Sequence, residues 1–432
     1  MDAFIIEGGR PLRGAVEVRG AKNAALPMMA AALLMDEGKL ILRRVPDLAD
    51  VRTMTLVLQE LGVRVERHGD TLILQVVSEK NCRAPYELVS RMRASVCVLG
   101  PLVGKRRRAE VSLPGGCAIG DRPIDLHLRG LAALGASVAV EHGYVIASAR
   151  RLQGASMYLG GPYGSTVTGT ENVLMAAVLA PGTTHIEYAA CEPEVQELAR
   201  LLVRMGARIE GIGSPRLRIR GVRRLRGAVW EVIPDRIEAG TFMAAAAMTG
   251  GDVSIERCAP DHLMSVIECM RQAGVHVETG PDYVRVIGNG LFRPVNVATL
   301  PYPGFPTDLQ AQFMALMTRG EGISVITEKI FPERFHHVRE LARMGANIVR
   351  EGPSAIVIGV PELHGAPVMA SDLRASAGLL VAALAARGET TLQRVYHLDR
   401  GYDRIEERLT ALGARIRRVS LKPQAVPLRE AV

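Results

Sequence analysis

The chain has 432 residues, more than one ordinary hydrophobic core organises, so two or three domains are expected. Hydrophobic residues make up 48% and aromatics only 4%, which points to cores of Ala, Val, Leu, Ile and Met. The net charge of +8 is dispersed and lacks interleaved aromatics, which argues against nucleic-acid binding and fits a small polyanionic substrate.

The opening residues Met1 to Glu7 show no basic region followed by a long apolar run, so they do not read as a signal peptide. The apolar stretch Ala24 to Met35 contains Pro27 and is too short to span a bilayer. Six cysteines (Cys82, Cys97, Cys117, Cys191, Cys258 and Cys269) form no C-x-x-C pair, as expected for a reducing cytoplasm. No zinc spacing, P-loop or dinucleotide fingerprint occurs, so neither metal nor cofactor is implied.

In chain order, one pattern recurs at Leu61-Gly62, Leu134-Gly135, Met205-Gly206, Ala273-Gly274, Met344-Gly345 and Leu412-Gly413. The interval is about 70 residues. Each copy ends a helix-patterned segment, where glycine can take a left-handed stop, and an alternating β-type run follows. A second strand follows in five copies, as in Thr71 to Leu74 and Ala355 to Ile358. The sixth lacks it, and Ala3 to Ile6 at the N-terminus is the expected replacement. The division that follows is one domain over 22–230 and a discontinuous one over 1–21 and 231–432, with 419–432 a flexible tail. Two chain crossings between them suggest a hinge.

Polar loops precede the small-residue helices of these repeats. They carry Lys22-Asn23, Arg91 with Arg93, Ser165 to Asn172, Asp235-Arg236, Thr307-Asp308 and Asp372 with Arg374. Asp, Asn, Ser and Thr there are ordinary helix caps. Lys22, Arg93 and Arg374 are not, because the helix dipole disfavours a cation at its N-terminus, so an anionic ligand is expected.

The segment Pro114-Gly115-Gly116-Cys117-Ala118-Ile119-Gly120-Asp121-Arg122-Pro123 places a thiol among glycines beside an arginine. Glycine permits close backbone approach to a ligand, and a nearby cation lowers a thiol pKa. Pro123 suits the first turn of a following helix. The plainer reading of Cys117 is a small buried hydrophobe.

Taken in order, these motifs resemble the enolpyruvyl transferases over residues 1–418. The resemblance rests on Gly20 to Ala25, the Cys117 segment through His127, Thr170-Glu171-Asn172, Ile233 to Phe242, Pro301 to Asp308, Ala370 to Ser376 and Tyr396 to Tyr402. It implies an α/β fold, a two-domain inside-out α/β barrel with three repeats per domain and six in total. It also implies transfer of the enolpyruvyl group of phosphoenolpyruvate to the 3′-hydroxyl of UDP-N-acetylglucosamine with release of phosphate, the first committed step of peptidoglycan precursor synthesis. Cys117 is then the acid and Asp308 the base, with Lys22, Asn23, Cys117, Arg122 and Arg400 around phosphoenolpyruvate. For the nucleotide sugar the resemblance points to Asn23, Arg93, Arg122, Pro123, Ile124, Asp125, Leu126, Gly164, Ser165, Thr166, Val167, Asp308 and Ile330. Asp235, Arg236, Arg334, Asp372 and Arg374 fall to support or closure. Plainer readings remain for three of these: a helix cap for Asp308, a core position for Ile330 and a surface salt bridge for Arg334.

The chain departs from the family pattern at Val167-Thr168-Gly169-Thr170, at Phe331-Pro332-Glu333-Arg334 and at Asp121, which adds a carboxylate beside Arg122. Alternative acceptors are shikimate 3-phosphate or a free nucleotide. A non-catalytic paralogue that binds the sugar nucleotide would be expected to have lost Cys117 or Asp308, and both are present.

Overall fold

The computed structural model describes residues 2–115 and 123–421. Cys117, Asp121 and Arg122, and the C-terminal segment from Lys422, therefore lie outside the described residues.

The described strands include six four-stranded sheets with one shared plan. In each, an edge strand runs parallel to its neighbour, and two antiparallel strands follow. In the sixth sheet, Asp2–Glu7 lies between Glu389–Gln393 and Arg415–Ser420, pairing antiparallel with both. The N-terminus thus supplies the strand missing from the last repeat. Arg415–Ser420 also extends two residues into the segment expected to be a tail, and Ser420 Oγ bonds Asp2 Oδ1 at 2.7 Å. The six repeat glycines, Gly62, Gly135, Gly206, Gly274, Gly345 and Gly413, all have positive φ, between 79° and 115°. That is the conformation in which a side chain is strained and glycine is not.

Three of these sheets use strands between residues 35 and 231, and the other three use strands within 2–17 and 252–420. Buried apolar residues divide the same way. One cluster runs from Ala21 to Val232, and the other joins Phe4 to Val18 with Ile237 to Ala414. At the middle of each cluster are helices with no polar face. Every residue of Gln310–Met317 is buried, as is nearly all of Lys22–Ala31, Val167–Ala177, Arg236–Met248 and Leu373–Ala385. A helix apolar all round must be enclosed, and here the sheets enclose it. Small residues bring these helices close. A Cβ on Gly100 would lie 2.0 Å from the Asn172 carbonyl oxygen.

Helix starts account for much of the polar-loop pattern. Thr166 accepts from Gly169 N–H at 3.2 Å, Asp235 caps Arg236–Met248, and Asp372 caps Leu373–Ala385. Pro123 departs from expectation. The helix there is Asp125–Ala133 with Ile124 at its cap, so Pro123 precedes the helix instead of forming its first turn.

Candidate functional site

Two carboxylates stand out, and each lies between two cations. Asp308 comes from the short 3-10 turn Thr307–Leu309, whose capping position is Pro306 and not Asp308. Its Oδ1 accepts from Arg334 at 2.8 Å, and its Oδ2 from Arg374 Nε at 3.2 Å and Nη2 at 3.1 Å. The helix-cap reading therefore fails, because the carboxylate is committed to arginines. Surface pairing also fails for Arg334, which is 6% exposed. Burial opposes ionisation of Asp308, but Arg374 and Arg334, with Lys22 adding to them, hold its carboxyl far below the usual carboxylate range.

Arg374 is fixed from behind. Its Nη1 donates to Tyr402 Oη at 3.2 Å, Tyr402 Oη lies 2.9 Å from Thr241 Oγ1, and Gln312 Nε2 reaches Thr241 at 3.1 Å. Burial would lower the Arg374 pKa, yet Asp308 and Tyr402 raise it overall, so its charge is permanent. Arg334 also donates to Thr307 Oγ1 at 2.9 Å, and Thr307 donates to the buried Glu328 at 2.9 Å. Glu328 in turn accepts from the Ile330 and Phe331 amides. Ile330 is half-buried and not a core residue.

The second carboxylate, Asp50, was not singled out by sequence. It lies in the first turn of helix Ala49–Glu60 and is 4% exposed. Lys22 Nζ donates to its Oδ2 at 2.9 Å, and Arg400 Nε to its Oδ1 at 2.9 Å. Burial opposes its charge, and Lys22 and Arg400 prevail, so its pKa falls below the usual value. Glu192 and Glu194 were also missed. Glu194 holds Arg236 with Nε–Oε1 at 2.9 Å and Nη2–Oε2 at 3.3 Å, and Glu192 accepts from the Tyr302 amide at 3.4 Å. Only a first-turn acid marked Asp50 or Glu194 in the sequence, and such acids are common.

Apart from Asp308 and Ile330 in the second half and Arg122 outside the described residues, the nucleotide-sugar candidates lie on the first half of the chain. Asn23 and Asp125 are exposed in the first turns of their helices, and Arg93 opens the 3-10 segment Arg93–Val98. Pro123 is exposed, Ile124 is buried and Leu126 half-buried. Asn172 accepts from Gly100 N–H at 2.7 Å and donates to the Val96 carbonyl at 3.0 Å and to His127 at 2.9 Å. This fixes the helix that carries Asp125 and Leu126. Gly164 and Ser165 form a tight hairpin with Gly160 and Gly161, and a Cβ on Gly164 would lie 2.8 Å from Pro301 Cγ. The hairpin tip therefore abuts the other half of the chain. Thr166 Oγ1 accepts the Gly169 amide as the helix cap, and Val167 is half-buried.

A cavity of about 760 Å³ lined by Lys39, Arg204, Arg224 and Arg226 lies elsewhere and holds none of these residues. Among the described residues no His, Cys, Asp and Glu cluster is arranged to hold a metal.

Paired cations near a fixed carboxylate suit transfer from a phosphorylated donor. The chain belongs to the EPSP synthase (3-phosphoshikimate 1-carboxyvinyltransferase) family, whose model matches residues 6–409. It is 54% identical, over 97% of its length and all of the relative, to a UDP-N-acetylglucosamine 1-carboxyvinyltransferase of Desulfosudis oleivorans. It is 56% identical, over 97% of its length and 99% of the relative, to the protein of that name from an Anaeromyxobacter species. Among solved structures, the enolpyruvyl transferase NikO from Streptomyces tendae matches with a TM-score of 0.88 at 26% identity, covering 98% of this chain and 99% of that one. EPSP synthase from Acinetobacter baumannii shares the fold, with a TM-score of 0.74 at 18% identity over 97% of this chain and all of that one.

Proposed function

We propose that this enzyme transfers the enolpyruvyl group of phosphoenolpyruvate to the 3′-hydroxyl of UDP-N-acetylglucosamine and releases phosphate, opening peptidoglycan precursor synthesis. The observation that carries the choice of acceptor is 54–56% identity across the chain to relatives named for that reaction.

In this reading carbon 3 of the enol gains a proton while the sugar hydroxyl attacks carbon 2, giving a tetrahedral ketal. Loss of a proton from carbon 3 and of phosphate from carbon 2 then restores the enol ether. Lys22, Arg122 and Arg400 bind phosphoenolpyruvate, and arginine offers a bidentate fork to its carboxylate or phosphate. Cys117 is the acid. Its role and that of Arg122 rest on the sequence resemblance.

Asp308 accepts the hydroxyl proton, and its surroundings set when. A carboxylate held by two arginines is a weak base. It removes little proton density from a neutral alcohol. Once the new C–O bond forms, the oxygen becomes strongly acidic and a weak base suffices. Proton transfer to Asp308 is therefore late, and its earlier task is to orient the hydroxyl.

The division into 22–230 and 1–21 with 231–432 belongs to the same proposal, with closure on the sugar nucleotide assembling the site. The separate cores and separate sheets support it. So does the distribution of Lys22 and Arg93 on one half, with Asp308, Arg374 and Arg400 on the other. A cytoplasmic location is likewise proposed. It is supported by five unpaired cysteines, and among the described residues no helix is long and apolar enough to cross a membrane.

The test is phosphate release from phosphoenolpyruvate with UDP-N-acetylglucosamine, UMP or shikimate 3-phosphate supplied separately, with product mass determined. Release with UDP-N-acetylglucosamine alone is expected. Release only with another acceptor would overturn the assignment, and release with none would favour a non-catalytic binder. Alkylation by the epoxide fosfomycin should fall on Cys117 and not on Cys191 or Cys258.

A further inference from the structure

Asp50 is buried to an extent that its helix does not require. A first-turn carboxylate favours a helix equally well from the surface, where it keeps its water. Burying a carboxylate is costly unless charged partners meet both oxygens, and here they do. The partners come from the two cores. Lys22 opens a helix of the first cluster, with Ala24 and Ala25 beside it. Arg400 ends the 3-10 segment Val395–Arg400, whose Val395 and Leu398 belong to the second. Asp50 is itself followed by Val51 and Met54 of the first cluster. Lys22 and Arg400 repel each other, and Lys22 is placed against the grain of local structure, at a helix N-terminus. Something must hold them together while no anion lies between them. Asp50 touches both at 2.9 Å.

We propose that Asp50 is a positioning residue for the phosphoenolpyruvate site, joining Lys22 to Arg400 across the two cores so that the cation pair is assembled before the anion arrives. The proposal rests on the reading of Lys22 and Arg400 as phosphoenolpyruvate ligands. The triad keeps one net positive charge, so it still attracts an anion. The anion that enters need not pay for bringing two like charges together. A mere charge-balancing role predicts the opposite effect, because removing a carboxylate beside an anion site would then tighten anion binding.

The experiment compares the full-length wild type with Asp50→Asn and Asp50→Glu, varying each substrate in turn. In Asp50→Asn the KM for phosphoenolpyruvate should rise about tenfold or more, while that for UDP-N-acetylglucosamine stays unchanged. Asp50→Glu keeps the charge and should recover part of the loss. An unchanged or lower phosphoenolpyruvate KM in Asp50→Asn would overturn the proposal. So would an equal rise in both constants with no advantage for glutamate, since that marks a general loss of structure. Calorimetric titration with inorganic phosphate needs no acceptor and so separates this proposal from the choice of UDP-N-acetylglucosamine. Weaker phosphate binding by Asp50→Asn is expected, and equal binding would overturn the proposal.

Discussion

Asp308 and Asp50 each lie between two cations, but the cations come from different places. Arg334 and Arg374 belong to the same half of the chain as Asp308, and Tyr402, Thr241 and Gln312 of that half fix Arg374 in turn. Asp50 has one partner in its own half and one in the other, 350 residues away. The Asp308 cluster therefore survives any relative motion of the halves, whereas the Asp50 cluster exists only when they meet. A fixed carboxylate suits a proton acceptor that must point one way, and a shared carboxylate suits a site that assembles. Glu194 with Arg236 is a second contact of the shared kind.

The comparison breaks most visibly at Asp308. Asp308→Ala should lower turnover about 100- to 10,000-fold with little change in sugar-nucleotide affinity, as for loss of a proton-transfer group. A loss in KM alone would return Asp308 to a binding role.

Removing the shared contact by Arg236→Gln should cost about 3–5 kcal/mol, since it leaves Glu194 buried without its partner. Equilibrium denaturation measures that cost. Scattering should show a larger radius for the variant.

Acidity sharpens the contrast. The folded pKa values of Asp308 and Asp50 lie below their unfolded values. Their contribution to stability is thus full above about pH 4 and is lost as pH falls through the folded values. Arg334→Gln should raise the Asp308 pKa, so the acid limb of kcat should move toward neutral pH, while the same limb for Asp50→Asn should not move. Glu171 titrates in the opposite sense. It is fully buried, with Oε1 lacking a hydrogen-bond partner among the described residues, and burial pushes its carboxyl well up. Its ionisation therefore opposes folding as pH rises above about 4. Glu171→Gln should show a melting temperature that gains on wild type as pH rises from about 4 until the raised folded-state pKa is passed.

The smallest effect is expected at a position outside both clusters. Thr166→Ala removes one helix cap and should cost about 1 kcal/mol by denaturation, with kcat nearly intact.

The sequence by itself determined the repeat, its glycine stops, the paired strands that follow each stop, and the N-terminal strand that completes the last copy. It also marked Lys22, Arg93 and Arg374 as cations at helix starts, where the dipole disfavours them. These are local signals, since alternation, helix termination and a misplaced cation are written within a few neighbouring residues. Tertiary structure decided the rest. Asp50 and Glu194 look like ordinary first-turn acids, Arg334 like a surface arginine and Pro123 like a helix start, and none of these appearances holds. Which cations meet Asp50 depends on how the two cores face each other. The partners of Asp50 are 28 and 350 residues away, and that spacing carries no periodic mark in the chain.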